Sequence, residues 1–166
     1  TNFYSAQLYG KVAYHDFEGI TVEADEGPRM LANMGGKPIL ILVGSESDRP
    51  RIASLFPILD QAGVGYDFSV CSAHREPERT AQVAREARSK GYRVVICGAG
   101  LAAALPGAIA SQTDLPVIGV PFDVGALHGT DALYSMVQTP SGVPVATVGI
   151  DNAKNAAHLA LRILKA

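Results

Sequence analysis

The apolar residues of this chain fall into a regular rhythm from Lys37 onward. KPILILV (37–43) is a nearly unbroken apolar run, the pattern of a strand buried on both faces. Ile52, Leu55, Phe56 and Leu59 then recur at helical spacing, and Gly63 supplies a helix stop. Pro57 lies inside that run and is expected to kink the helix or delay its start. The unit repeats. YDFSV (66–70) predicts a strand, and 77–89 a charged helix ending before Gly91. RVVIC (93–97) predicts a strand, followed by a loop of small residues and a short helix over LPGAIASQT. PVIGV (116–120) predicts a strand, and TDALYSMVQ a helix. VPVATVGI (143–150) predicts the last strand, and 151–165 the last helix, with Ala156, Leu159, Ala160 and Ile163 on one face.

Alternating β and α signals predict an α/β fold, a three-layer sandwich with a parallel sheet and helices on both faces. Right-handed crossovers leave few topologies. Five units suit a flavodoxin-like five-stranded sheet of order 2-1-3-4-5, which takes its ligand beyond the carboxyl ends of the strands. Four loops form that edge: GSESD (44–48), CSAHRE (71–76), GAGLAAALPG (98–107) and PFDVGALHG (121–129).

Residues 1–36 stand outside the rhythm and read as an N-terminal extension to a catalytic domain over 37–166. KVAY and ITVEA suggest a short hairpin packed on the main domain or a neighbouring subunit, PRMLANM a turn or two of helix, and His15 a surface residue.

Composition narrows the partners. The chain of 166 residues is 48% hydrophobic and 18% charged, below the usual quarter, so much apolar surface is buried in the sheet or in an oligomer. A net charge of −2 without a Lys/Arg run argues against nucleic acid and anionic membranes. No run is long enough to span a bilayer, and the first residues do not read as a signal peptide. Cys71 and Cys97 read as buried, reduced thiols of a cytoplasmic protein, and no ligand spacing suggests a metal.

The loops carry the chemistry. In GSESD, Gly44 permits a tight turn, while Ser45 and Ser47 offer hydroxyls beside the free N–H groups of the next helix, an anion site. A simple helix cap by Ser47 or Asp48 is the competing reading. Asp48 would repel a phosphate but suits a ribose diol. Neither the Walker loop nor the dinucleotide glycine pattern is present. In CSAHRE, Ser72 can donate to a phosphate and Arg75 can grip it with its fork. His74 brings the imidazole suited to general acid–base work near neutral pH. The 98–107 loop is nearly free of side chains, so a flat ring could lie against its backbone; compact packing explains it equally well. His128 and Asp131 could approach the pocket, whereas His158 reads as surface or interface.

Together GSESD, SAHRxP, GAGxAAxLPGxxAxxTxLPVIGVP, GxDALYSxVQxPxGVPVATVxI and NAAxLAxxIL resemble the PurE family of N5-carboxyaminoimidazole ribonucleotide mutases and phosphoribosylaminoimidazole carboxylases, over residues 38 to about 165. The resemblance implies an enzyme of purine biosynthesis that moves a carboxylate to ring carbon C4 of an aminoimidazole ribonucleotide. It implies a homo-octamer with sites at subunit junctions, and no metal, biotin or ATP at this step. Carried over by position, it makes His74 the general acid–base and Ser45, Ser72 and Arg75 the phosphate contacts. Asp48 would hold the ribose hydroxyls. Gly44, Ser47, Ala73, Gly100, Ala102, Ala103 and Leu105 complete the expected substrate site. Ala104 stands where the family carries histidine, and Thr139 where it carries methionine. Ala104 and residues 1–36 keep two alternatives open: a related carboxylase acting on another nucleotide, and a catalytically weakened nucleotide-binding subunit.

Overall fold

The computed structural model describes residues 13–15, 21–23 and 36–166. The first two segments, β1 (Ala13–His15) and β2 (Thr21–Glu23), pair antiparallel with Tyr14 opposite Val22. The expected N-terminal hairpin is therefore present, while the helix expected over PRMLANM lies outside the described residues.

Five parallel strands form the main sheet: β3 (Ile39–Val43), β4 (Tyr66–Val70), β5 (Val94–Ala99), β6 (Val117–Pro121) and β7 (Ala146–Thr147). Their order is β4-β3-β5-β6-β7. Counted from β3, this is the expected order 2-1-3-4-5. The central strands β3, β5 and β6 are buried along their whole length, which is why their sequences are apolar without alternation.

Strand alternation divides the core between the two faces of the sheet. Ile39, Ile41 and Val43 point to one side with Ile52, Leu55, Leu59, Phe122 and the last helix. Leu40 and Leu42 point to the other with Cys97, Leu105, Ile109 and Met136. Among the described residues the helices are α1 (Arg49–Ile52), α2 (Phe56–Gln61), α3 (Pro77–Ala87), α4 (Ala104–Ala110), α5 (Thr130–Val137) and α6 (Ala153–Lys165).

Three expectations need adjustment. The run after β3 is not one helix: α1 and α2 are separated by a 3-10 turn over Ala53–Leu55. Pro50 and Pro57 each sit in the first turn of an α segment, where a missing N–H costs nothing. The last strand shrinks from the expected 143–150 to two residues, because it pairs only with β6 and Pro144 cannot donate. The buried face of α6 is Ala153, Ala156, Ala157, Ala160, Leu161 and Leu164, while Leu159 and Ile163 are only partly covered at its margin.

Glycines keep the carboxyl edge compact. A Cβ on Gly98, at the end of β5, would meet Phe122 Cζ at 2.2 Å, and one on Gly100 would meet Val124 Cγ2 at 2.1 Å. The loops after β5 and β6 can lie this close only because both positions lack side chains.

Candidate active site

The site is built where β3 and β4 end side by side. Val43 pairs with Val70, and the Cys71 N–H continues the ladder to the Val43 carbonyl at 2.8 Å. Beyond that bond the two chains diverge into the GSESD and CSAHRE loops. On the other side of β3, Val43 faces Gly98, so the 98–107 loop borders the same space.

The first loop is a compact turn. Ser45 is the N-cap of a 3-10 turn over Glu46–Asp48, and its hydroxyl lies 2.9 Å from that of Ser47. The Asp48 N–H returns to the Ser45 carbonyl at 3.0 Å. The cap is therefore Ser45 and neither Ser47 nor Asp48: the Ser45 hydroxyl accepts from the Ser47 N–H, and Asp48, at the start of α1, makes no side-chain cap hydrogen bond. Arg49 pairs with Glu46 and lies 4.2 Å over the Phe68 ring, which takes it out of the site.

In the second loop Ser72 is buried, and its Oγ accepts from both Arg75 N at 3.3 Å and Arg75 Nε at 3.2 Å. Arg75 Nη2 donates to the Gly44 carbonyl at 3.2 Å. The guanidinium thus spans the two loops while touching only neutral oxygens. No carboxylate accepts from it in these contacts, and its charge acts on the nearby Asp48. His74 is exposed between Ser72 and Arg75, and Ala73 is half-buried beside it. The Glu76 N–H closes the turn on the Ser72 carbonyl at 2.8 Å, and Glu76 pairs with Arg79.

Asp48 stands beside these groups, 3.8 Å from where a Gly44 Cβ would lie. Burial raises its carboxyl above the ordinary value, and the Ser45 backbone hydrogen bond with the charges of Arg51 and Arg75 opposes that rise. A half-buried carboxylate flanked by two guanidiniums and facing a polar turn is suited to accepting hydrogen bonds from hydroxyl groups.

The third loop contributes mostly backbone. Gly100 is half-buried and Ala102 exposed, but the side chains of Ala103 and Leu105 are 2% exposed and belong to the core. Leu101 is 55% exposed and holds a positive φ of 54°, a strained setting for a branched side chain. Ala104 opens α4 and is half-buried.

Gly44, Ser45, Ser47, Asp48, Ser72, Ala73, His74 and Arg75 are therefore gathered on two adjoining loops, with Gly100 and Ala102 on a bordering one. Other residues considered from the sequence are engaged elsewhere. Asp131 accepts from the Ala132 N–H at 3.0 Å within its own first helical turn. His128 turns its Nδ1 to Asp123 Oδ1 at 3.2 Å. His158 lies along α6, far along the chain from the loops.

Two residues absent from the sequence reading join the edge. Arg51 Nη1 reaches Asp151 Oδ2 at 3.1 Å and Oδ1 at 3.4 Å. Asp151 Oδ1 also accepts the Asp123 N–H at 3.2 Å. The only sequence signal was the second basic residue of RPR after GSESD, and nothing local pointed to its partner.

Comparison with known proteins identifies the family. The AIR carboxylase family model matches residues 38–166. An N5-carboxyaminoimidazole ribonucleotide mutase of Pyrococcus horikoshii is 57% identical over 129 residues, 77% of this chain and 73% of that protein. A phosphoribosylaminoimidazole carboxylase of Ogataea methanolica is 44% identical over 157 residues, 92% of this chain but 29% of that protein. The crystal structure of Treponema denticola PurE superposes with a TM-score of 0.68 at 31% identity, covering 75% of this chain and 78% of that one. A family model over residues 38–166, and a relative 57% identical over 129 residues, make this chain a member of the AIR carboxylase family.

Proposed function

We propose that this chain works as an N5-carboxyaminoimidazole ribonucleotide mutase of purine biosynthesis, with the reaction at the carboxyl ends of β3, β4 and β5. The observation that carries this reading is the Ser72–Arg75–Gly44 linkage, which fixes a guanidinium bound to neutral oxygens beside an exposed imidazole. Kinship to mutases supports it.

In this reading Arg75, Ser72 and Ser45 hold the phosphate, with Ser47 and Gly44 shaping the turn. Asp48 takes the ribose hydroxyls. The aminoimidazole ring lies over the 98–107 backbone near Gly100 and Ala102, and Ala73, Ala103 and Leu105 contribute main-chain contacts. His74 moves the proton. It protonates N5 as the N5–carboxylate bond breaks, releasing CO2 beside the ring. The electrons of ring carbon C4 then form the new bond to CO2, and the neutral imidazole takes the C4 proton. Both proton transfers return the imidazole to its starting state, so no net acid is consumed. No metal or organic cofactor enters this scheme.

Residues 1–36 are an extension to a catalytic domain that begins near Lys37, a division supported by the start of the family match at residue 38. The chain works in the cytoplasm as a homo-oligomer, an octamer by family resemblance. Leu127, Tyr134, Val137 and Ile150 are large apolar side chains left exposed in the single chain, as expected of a subunit.

The test is an ultraviolet assay of conversion between the N5- and C4-carboxylated ribonucleotides, with wild type, His74→Asn and Ala104→His side by side. Turnover by wild type and its loss in His74→Asn support the reading, and a gain in Ala104→His would set the cost of the small residue. Binding without turnover in every protein would indicate a binding subunit. Turnover of a different nucleotide alone would move the chain to a related carboxylase.

A further inference from the structure

The loops after β5 and β6 are fitted into one another at three glycines. The Phe122 ring takes the place of a side chain on Gly98, and Val124 that of one on Gly100, where a Cβ would meet Val124 Cγ2 at 2.1 Å. The third fit runs the other way. A Cβ on Gly125 would meet Leu101 Cδ2 at 2.7 Å, so Leu101 of the first loop is seated on Gly125 of the second. The Phe122 N–H donates to the Ala99 carbonyl at 2.9 Å and carries the β5–β6 ladder into this joint.

The seat of Leu101 is held at a cost. Its φ of 54° is left-handed, an unfavourable setting for a residue with a branched side chain. Burial offsets little of that cost, because more than half of the side chain stays exposed. A strained residue persists only where its surroundings fix it from several sides. Here Val124 packs on Gly100, the residue before it, and Gly125 receives the side chain itself. Gly125 has a φ of 76° and no Cβ, so it supplies both the turn and the space. Gly100 and Ala102, the chain neighbours of Leu101, are the backbone on which the aminoimidazole ring lies in the proposed reaction. A flat ring gains affinity from a surface that is already in place. The phosphate contacts of that reaction stand on the loops after β3 and β4, across β5 from this joint.

We infer that Leu101, seated on Gly125, is a positioning residue: with Val124 it holds the Gly100–Ala102 backbone where the aminoimidazole ring of the substrate needs it, and it does not act on the phosphate. This rests on the ribonucleotide reading of the same site.

Calorimetric titration with aminoimidazole ribonucleotide and, separately, with ribose 5-phosphate, which lacks the ring, tests it. Gly125→Ala puts a methyl in the seat of Leu101 and is expected to weaken the ribonucleotide about tenfold. Ribose 5-phosphate affinity is expected to stay within about twofold of wild type. In a Leu101→Gly background, where no side chain needs the seat, Gly125→Ala is expected to change ribonucleotide affinity by less than about twofold. Val124→Ala, which empties the Gly100 contact without a clash, should again weaken the ribonucleotide and spare ribose 5-phosphate. Equal loss of both ligands in Gly125→Ala would overturn the inference, as would an equal effect of that substitution with and without the Leu101 side chain. So would wild type binding the ribonucleotide no better than ribose 5-phosphate. Altered sedimentation of Leu101→Gly, with both ligands weakened alike, would make Leu101 a subunit contact instead. Absence of mutase turnover in wild type, with the ring-selective coupling intact, would sink the proposed reaction and leave this inference standing.

Discussion

Arg75 and Gly44 lie 31 residues apart in the chain, yet Nη2 of the first donates to the carbonyl of the second at 3.2 Å. With Nε on Ser72 Oγ, that guanidinium ties two adjacent strand ends together through neutral oxygens. A lysine can carry the charge but cannot hold both oxygens in this plane. Arg75→Lys should therefore weaken ribose 5-phosphate by about tenfold, read by calorimetry, while neighbouring His74 chemistry continues at saturating substrate.

His74 is exposed and makes none of the bonds that fix its loop. His74→Asn should lower kcat by roughly 10²–10⁴ while KM moves only a few-fold, measured by steady-state kinetics. Its melting temperature should match wild type. A fall in melting temperature that tracked the loss of activity would assign the residue a structural role instead.

Asp48 carries a cost to the fold. Burial raises its carboxyl above the ordinary 3.8, so the folded state favours the protonated form. The stabilising contribution of that form is full below pH 3.8 and is lost as the pH rises through the elevated value. Asp48→Asn is neutral at every pH. It should melt slightly above wild type at pH 7, the solvated carboxylate limiting the gain, with the gain vanishing below pH 3.8, and should bind ribose 5-phosphate more weakly.

Gly98 makes room for the Phe122 ring. Gly98→Ala places a methyl 2.2 Å from Phe122 Cζ, where neither the sheet nor the buried ring can give way freely. Urea unfolding should show a loss of about 1–3 kcal/mol. Phe122→Leu in the same background should restore part of it.

Away from the site, Asp67 receives Lys37 Nζ at 2.6 Å and the Tyr92 hydroxyl at 2.8 Å. The Lys37 hydrogen bond, then that of Tyr92, lowers the Asp67 carboxyl, so its contribution is present above the ordinary 3.8 and lost as acid reaches the depressed value. Burial and then Asp67 push Tyr92 up to about 12. An alkaline absorbance titration should place one phenol near that value, and Tyr92→Phe should remove that step. Asp67→Asn should cost under about 1 kcal/mol at neutral pH, since the pair is largely solvated.

The sheet was legible because β3, β5 and β6 are buried on both faces, so their apolar runs stand out without alternation. The two principal loops were legible because polar residues follow those runs directly. β7 was overdrawn, since apolar composition over 143–150 says nothing about which N–H groups find a partner. The prolines at 50 and 57 broke a helix that periodicity alone would have continued. Arg51 and Asp151 escaped notice because their bond joins residues 100 apart, and pairing at that distance leaves no local pattern.

Cys71 and Cys97 are fully buried, and burial reinforced by Cys71 pushes the Cys97 thiol far up. Sulfur reacts as thiolate, so neither group meets an alkylating reagent while the sheet is closed. The chain therefore carries its own opening clock. Labelling of these two thiols in native buffer counts the excursions in which the face holding Leu42 and Met136 comes apart, without any dye or tag being added to the molecule.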